Sequence, residues 1–177
     1  MGKKVSRWPV NWSRATNATD VLMWVAPMST MDLKSVLELE ARAFRNPWRI
    51  LAFENELACR QAYCYVLKTD SGEVVAYICF RLIANELHVL KIAVNERYRR
   101  QGMAYQLLHH SLDRMAATVD FAFLETRPSN TAAIRLYRKL GFTVWGRRPG
   151  YYTDTEEDAI IMGKLFKGGS NECEDSY

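Results

Sequence analysis

Between Glu86 and Leu112 the chain changes its period once, and that change limits the folds open to it. Up to Val94 apolar residues recur at strand spacing. After the basic stretch Asn95-Glu96-Arg97-Tyr98-Arg99-Arg100-Gln101 and Gly102, one face recurs at helical spacing through Met103, Leu107, Leu108, Ser111, Leu112 and Met115. A second strand follows, with Phe121, Phe123 and Glu125 on one face and Ala122, Leu124 and Thr126 on the other. Strand, crossover helix and strand in this order call for parallel pairing around the helix. Pro128-Ser129-Asn130 then caps a further helix with the inner stripe Ala133, Leu136, Tyr137 and Leu140. Gly141 closes it in the left-handed conformation.

The flanking segments complete an α/β pattern. Val21–Ala26 reads as a short strand stopping at Pro27. Ser29 and Asp32 form a capping box before a helix with Leu33, Val36, Leu37, Glu40 and Phe44 on one face. Asn46-Pro47 suits a cap and first helical position, which predicts a second helix from about Trp48 to Cys59. Tyr63–Lys68, the turn Asp70-Ser71-Gly72 and Val74–Ile83 read as a β-hairpin. In Glu86–Val94, Leu87 and Val89 share one phase while Leu90, Ile92 and Val94 share the other. Either a β-bulge lies near His88–Leu90, or the strand is apolar on both faces. Two last strands, Phe142–Arg147 and Ala159–Phe166, flank a loop holding Gly150, Tyr151 and Tyr152.

The 177 residues suit one domain of 21–166 between two appendages. Apolar residues at 49% and charged ones at 25% are globular proportions. Residues 1–20 carry Lys3, Lys4, Arg7 and Arg14 before the first acid, Asp20. They lack the leucine-rich face of a transit peptide and the apolar core of a secretory signal, so they read as a flexible basic arm, with Trp8 and Trp12 able to dock it. Residues 167–177 read as a disordered acidic tail. A net charge of +4 is too mild to argue for a DNA partner, and no apolar run is long enough to span a membrane. Cys59, Cys64, Cys79 and Cys173 lack metal-ligand spacing and match no nucleophile motif. Buried thiols of a cytoplasmic protein, and no metal, are expected.

The stretch Asn95–Ala104 brings three arginines and a glycine to the start of a helix, where unpaired N–H groups attract anions. By itself it is either a phosphate site or a solvated basic turn. It contains neither GxxxxGK[ST] nor GxGxxG.

Arg99-x-x-Gly102-x-Ala104 resembles the [QR]xxGx[GA] pyrophosphate loop of the GCN5-related N-acetyltransferases (GNAT). The downstream order is similar too: Glu125, Ser129-Asn130, then Leu136-Tyr137-x-x-x-Gly141-Phe142. Within that family the chain most resembles the bacterial ribosomal-protein-alanine N-acetyltransferases (the RimI type). The resemblance lies in Ala41-x-Ala43-Phe44, Pro47-Trp48, Ile92-Ala93-Val94, Arg100-Gln101-Gly102, Tyr151-Tyr152 and Glu157–Met162. It covers about Ala26 to Phe166.

The resemblance implies a mixed, mostly antiparallel sheet with a splayed parallel strand pair and flanking helices. It also implies acetyl-CoA as cosubstrate, held by Ile92, Ala93, Val94, Arg99, Arg100, Gln101, Gly102, Met103, Ala104, Tyr105 and Asn130. The pantetheine arm would lie along Ile92–Val94, with a backbone N–H near Ile92 polarising the thioester carbonyl. Glu125 would be the general base, directly or through a water, and Tyr137 the general acid for the leaving thiolate. Without the resemblance Glu125 is equally a salt-bridged carboxylate at a strand end, and Tyr137 a core tyrosine. Trp48, Tyr151 and Tyr152 would line the incoming peptide. Two positions depart from the family's pattern: Ala104 stands where many relatives have glycine, and Tyr105 replaces a common basic residue.

The expected activity is direct acetyl transfer to a protein N-terminal amine, specifically the alanine of a small-subunit ribosomal protein, by a cytoplasmic monomer. An acceptor lysine or small amine is the first alternative. A lysine near ~10.4 gives up its proton less readily than an α-amine near ~8. A non-catalytic acetyl-CoA-binding module is the second, and the joint presence of Glu125 and Tyr137 argues against it.

Overall fold

A computed structural model describes residues 8–10 and 23–166. In chain order the elements are β1 (Trp8–Val10), β2 (Met23–Pro27), α1 (Leu33–Ala43), α2 (Ile50–Ala58), β3 (Ala62–Thr69), β4 (Val74–Ile83), β5 (Glu86–Val94), α3 (Met103–Met115), β6 (Phe121–Thr126), α4 (Thr131–Lys139), β7 (Thr143–Tyr152) and β8 (Glu157–Leu165). They group into two compact units. The first holds the described residues up to Leu82 together with Val89–His110. The second holds Ile83–His88 and the described residues from Ser111 onward.

In the first unit the strand order is β1-β2-β3-β4-β5. The pairs β1/β2, β2/β3 and β3/β4 are all antiparallel. Trp8–Val10, the described part of the N-terminal arm, supplies β1, an element the sequence pattern did not predict. The Ser29–Asp32 cap forms as expected: Ser29 N–H and Oγ both donate to Asp32 Oδ2 at 2.9 Å, at the entry to α1. Val36 and Leu39 of α1, Phe53 of α2 and Val66, Tyr77 and Cys79 of the sheet share one core. Val74–Phe80 is buried at every position, as an interior strand covered on both faces must be. Cys64 and Cys79 face each other across β3 and β4. Both thiols are free and buried, and Cys59 is free and half-buried. The hydrogen bond with Cys64, and then burial, push the Cys79 thiol up and keep it neutral. Cys173 lies outside the described residues.

In the second unit the order is β6-β8-β7, antiparallel throughout. Ala122, Leu124 and Thr126 point into the core while Phe121, Phe123 and Glu125 lie on the half-buried face, the alternation expected for β6. Helix α4 ends in a Schellman motif: Phe142 N–H donates to Tyr137 O and Gly141 N–H to Arg138 O, both at 3.0 Å, with Gly141 at φ 87°.

Some element boundaries differ from expectation. Helix α2 begins at Ile50, not Trp48, because Arg49 is extended, at φ −82° and ψ 165°, and stands as its N-cap, while Trp48 N–H donates to the Glu40 carboxylate at 2.8 Å. Strand β7 runs on through Tyr151 and Tyr152, since Tyr152 still pairs with Glu157 of β8; these tyrosines stand at a strand end and not in a loop. Along β5, Leu87, Val89 and Ala93 are deeply buried and His88, Leu90, Lys91, Ile92 and Val94 half-buried, so apolar side chains lie on both faces. Two apolar faces account for its sequence pattern. No helix among the described residues is long and apolar enough to cross a membrane.

Candidate active site

Strand β6 ends with Glu125 on its half-buried face, where its carboxylate is only 9% exposed. One oxygen, Oε2, is 2.7 Å from His88 Nε2, and the other, Oε1, is 3.4 Å from the Arg148 guanidinium on β7. The hydrogen bond from His88 outweighs the opposing effect of burial. With added pull from the Arg148 guanidinium, it holds the Glu125 carboxyl below the usual carboxylate range. The imidazole of His88 lies flat on the Phe123 ring, at 4.3 Å between centroids and 13° between planes. Phe123 precedes Glu125 by two residues on the same strand face, so β6 itself sets the ring's plane and supplies its partner.

Tyr137 lies in the last turn of α4, where the Schellman bond to its carbonyl and the Phe142 ring, 6.0 Å away, fix it. It is 7% exposed, and burial raises its hydroxyl far above the ordinary tyrosine range. That hydroxyl makes no hydrogen bond to any of the described residues. Tyr152 brings this tyrosine and Glu125 into one neighbourhood. Burial foremost, and then the nearby Tyr151, Glu125 and Glu157, push the Tyr152 hydroxyl up against the opposing pull of Arg127; Tyr152 in turn adds to the rise at Tyr137. Arg127 lies 3.9 Å over the Tyr152 ring. It also grips the β7–β8 turn through both oxygens of Asp154, at 2.7 and 3.0 Å, through Glu157, and through Thr155. Tyr151 packs edge-on against Tyr152 at 5.1 Å, with Arg148 5.0 Å from its ring centroid. Asn130 caps α4 by accepting from Ala133 N–H, which leaves its Nδ2 for a ligand.

The remaining predicted residues belong to the first unit. After a short 3-10 turn at Glu96–Tyr98, Arg100 adopts φ 58° and Gly102 φ 82°, and α3 starts at Met103. Gly102 O accepts the first bond of α3 from Gln106 N–H, so the N–H groups around Gly102–Tyr105 are left without partners within the helix. Such a row of amides at successive unusual turns forms an anion cradle. Several side chains of the loop are already engaged. Arg99 folds back onto Val94 O and Glu96, Gln101 donates to Arg97 O, and Met103 is buried in the core. Arg100 is exposed, with no ion pair among the described residues. Tyr105 stacks on His109 at 5.5 Å. Along β5, Ala93 is buried and Ile92 and Val94 are half-buried.

Trp48 also belongs to this unit, edge-on to Phe53 at 5.3 Å. The carboxylate of Glu40, which is 0% exposed, accepts from Trp48 N–H, from Lys91 Nζ at 2.9 Å and from the Tyr77 hydroxyl. Reading the sequence missed His88, Arg127, Arg148 and the ionic role of Glu40. For His88 a sign existed: it is a titratable residue in phase with the apolar run Leu90, Ile92 and Val94, preceded on that face only by Glu86 at the start of the strand.

Comparison with known proteins places this arrangement in a family. Residues 33–142 match the model of the acetyltransferase (GNAT) family. The chain is 36% identical over 141 residues to the [ribosomal protein bS18]-alanine N-acetyltransferase of Escherichia coli strain K12, covering 78% of this chain and 94% of that one. It is 33% identical over 145 residues to an N-alpha-acetyltransferase of Sulfurisphaera tokodaii, covering 74% and 86% respectively. The crystal structure of the ribosomal-protein-S18-alanine N-acetyltransferase from Escherichia coli superposes with a TM-score of 0.77 at 31% identity, over 86% of this chain and 99% of that one. The chain belongs to the acetyltransferase (GNAT) family. It has that family's mixed α/β fold, with four α-helices among the described residues and antiparallel pairing within each unit.

Proposed function

We propose that this chain moves the acetyl group of acetyl-CoA to the α-amine of a protein N-terminus, with the N-terminal alanine of a ribosomal protein as acceptor. The observation that carries the reading is its 36% identity to the bS18-alanine enzyme over 94% of that protein's length. The chemistry of the residues supports it. The amide row at Gly102–Tyr105, with the exposed guanidinium of Arg100, which has no ion pair among the described residues, suits the pyrophosphate of acetyl-CoA. Asn130 Nδ2 is a further donor for the cosubstrate.

Bound acetyl-CoA supplies an activated thioester, so the protein must manage two protons. Glu125 is ionised and supplies the negative charge toward which the acceptor amine's proton moves. Tyr137 is held neutral by burial, and its hydroxyl bonds to none of the described residues. It is suited to donate to the leaving thiolate. Tyr151, Tyr152 and Trp48 would contact the first residues of the acceptor. The buried Cys64 thiol and the buried, neutral Cys79 thiol offer no acyl-enzyme route, which favours direct transfer. The reading requires no metal, DNA or membrane, and places a monomer in the cytoplasm.

The test is acetyl-CoA turnover with peptides varied at the first residue, beside an internal-lysine peptide and spermidine. Alanine-first peptides should be preferred. Turnover confined to the lysine peptide or spermidine would replace the acceptor class.

A further inference from the structure

Glu125 alone is poorly matched to its task. An α-amine near ~8 hands its proton to an ordinary carboxylate near ~4.3 with an equilibrium penalty of roughly 5,000-fold, and to an ordinary imidazole near ~6.5 with one of roughly 30-fold. Arg148 at 3.4 Å and the His88 hydrogen bond hold Glu125 below even the ordinary carboxylate range. The carboxylate therefore holds a proton poorly, and the imidazole bonded to it is the other group of this pair that can accept one.

The geometry agrees. An ionised carboxylate can only accept, so the 2.7 Å contact makes His88 Nε2 the donor and leaves Nδ1 with the lone pair. Nδ1 makes no hydrogen bond to the described residues, and the side chain is 30% exposed. Stacking on Phe123 fixes the ring plane. The charged and titratable groups around the ring are Glu125 on β6, Arg148 on β7 and, beyond Glu125, Tyr152.

We propose that His88 is a catalytic residue: its Nδ1 takes the proton from the acceptor amine, while Glu125 orients the imidazole and balances the charge it gains. The inference rests on the acetyl-transfer reading but not on the identity of the amine. The amine loses a proton to Nδ1, its nitrogen bonds the acetyl carbon, and the C–S bond breaks. The thiolate takes a proton from the Tyr137 hydroxyl, which recovers one from solvent, and His88 releases its own to solvent. The arrangement parallels the carboxylate–imidazole pair of serine hydrolases, with the amine in place of the hydroxyl.

The test compares wild type, His88→Gln and Glu125→Gln in kcat between pH 5 and 8. The acceptor is whichever of the alanine-first peptide, lysine peptide or spermidine the wild type uses. His88→Gln should lower kcat about 100-fold and abolish the acid limb. Glu125→Gln should lower kcat but keep an acid limb. Added imidazole should partly rescue His88→Ala. Nitrogen NMR of the free wild type should find the neutral ring protonated at Nε2. His88→Gln within threefold of wild type, an acid limb that survives in His88→Gln but vanishes in Glu125→Gln, or a ring protonated at Nδ1 would each overturn the assignment. Wild type active only on spermidine or lysine would defeat the N-terminal reading while leaving this comparison decisive. No turnover of any amine would defeat both.

Discussion

The backbone N–H of Trp48 and the ammonium of Lys91 share a single oxygen of Glu40, at 2.8 and 2.9 Å, while Tyr77 donates to the other oxygen. One fully buried carboxylate thus ties the segment before α2 to strands β4 and β5. Removing it in Glu40→Ala leaves an amide, a phenol and an ammonium without their acceptor, and Lys91 is only 13% exposed. Breaking a buried pair on one side costs about 3–5 kcal/mol. Urea denaturation at pH 7 should show a loss of that size, with a smaller one for Glu40→Gln, whose amide oxygen still accepts. A loss below about 1 kcal/mol would mean the network contributes little.

Tyr137 separates a packing role from a chemical one. Its ring is held by Phe142 and the end of α4, but its hydroxyl bonds to none of the described residues. Tyr137→Phe keeps the ring and should leave thermal stability close to wild type, while kcat falls on the order of 100-fold. Tyr137→Ala should also destabilise the protein by about 3–5 kcal/mol. A Phe variant with full kcat would leave Tyr137 as a core residue alone.

Asp32 makes stability depend on acid. Burial opposes its ionisation, but the Lys68 ammonium at 2.5 Å and two hydrogen bonds from Ser29 prevail and lower its folded pKa. A folded value below the unfolded one, near ~3.9, gives a contribution that is complete above the unfolded pKa. It is lost as pH falls through the folded value. Asp32→Asn should therefore be less stable than wild type at pH 7, by about 1–2 kcal/mol, and the gap should close below about pH 4. Paired thermal melts across pH 2.5–7 measure it; a gap constant with pH would assign the effect to packing.

Local chemistry was legible in the sequence where it decides the outcome. Asn130 and Gly141 bracket α4 because an amide cap and a left-handed φ are short-range requirements. Glu125 could be placed on its strand face because alternation with Leu124 and Thr126 leaves no other choice. What escaped was set by partners distant in the chain. His88 and Glu125 are 37 positions apart. The start of α2 lies at Ile50 and not Trp48 because Arg49 stays extended, which nothing near Pro47 announces. The length of β7 depended on pairing between Tyr152 and Glu157, which overrides Gly150 as a break. Beyond these, Glu125 and Tyr137 drew their expected roles from family resemblance, since a strand-end carboxylate and a core tyrosine look alike in any sheet protein.

Gly102 tests the anion cradle with the least disturbance elsewhere. Its φ of 82° is one that residues with a Cβ adopt only at a cost of roughly 1–2 kcal/mol. Its carbonyl accepts the first bond of α3 from Gln106. In Gly102→Ala the chain must either hold the strained conformation or relax it, and relaxation turns the amides around Gly102–Tyr105 away from a common point. The expected result is a modest fall in melting temperature together with a rise of about tenfold in the Kd for acetyl-CoA, read by calorimetry. Arg100→Gln should raise the Kd less, and mainly at low salt, because an exposed guanidinium acts through screened charge. An unchanged Kd in Gly102→Ala would mean that the amides at the start of α3 do not hold the cosubstrate.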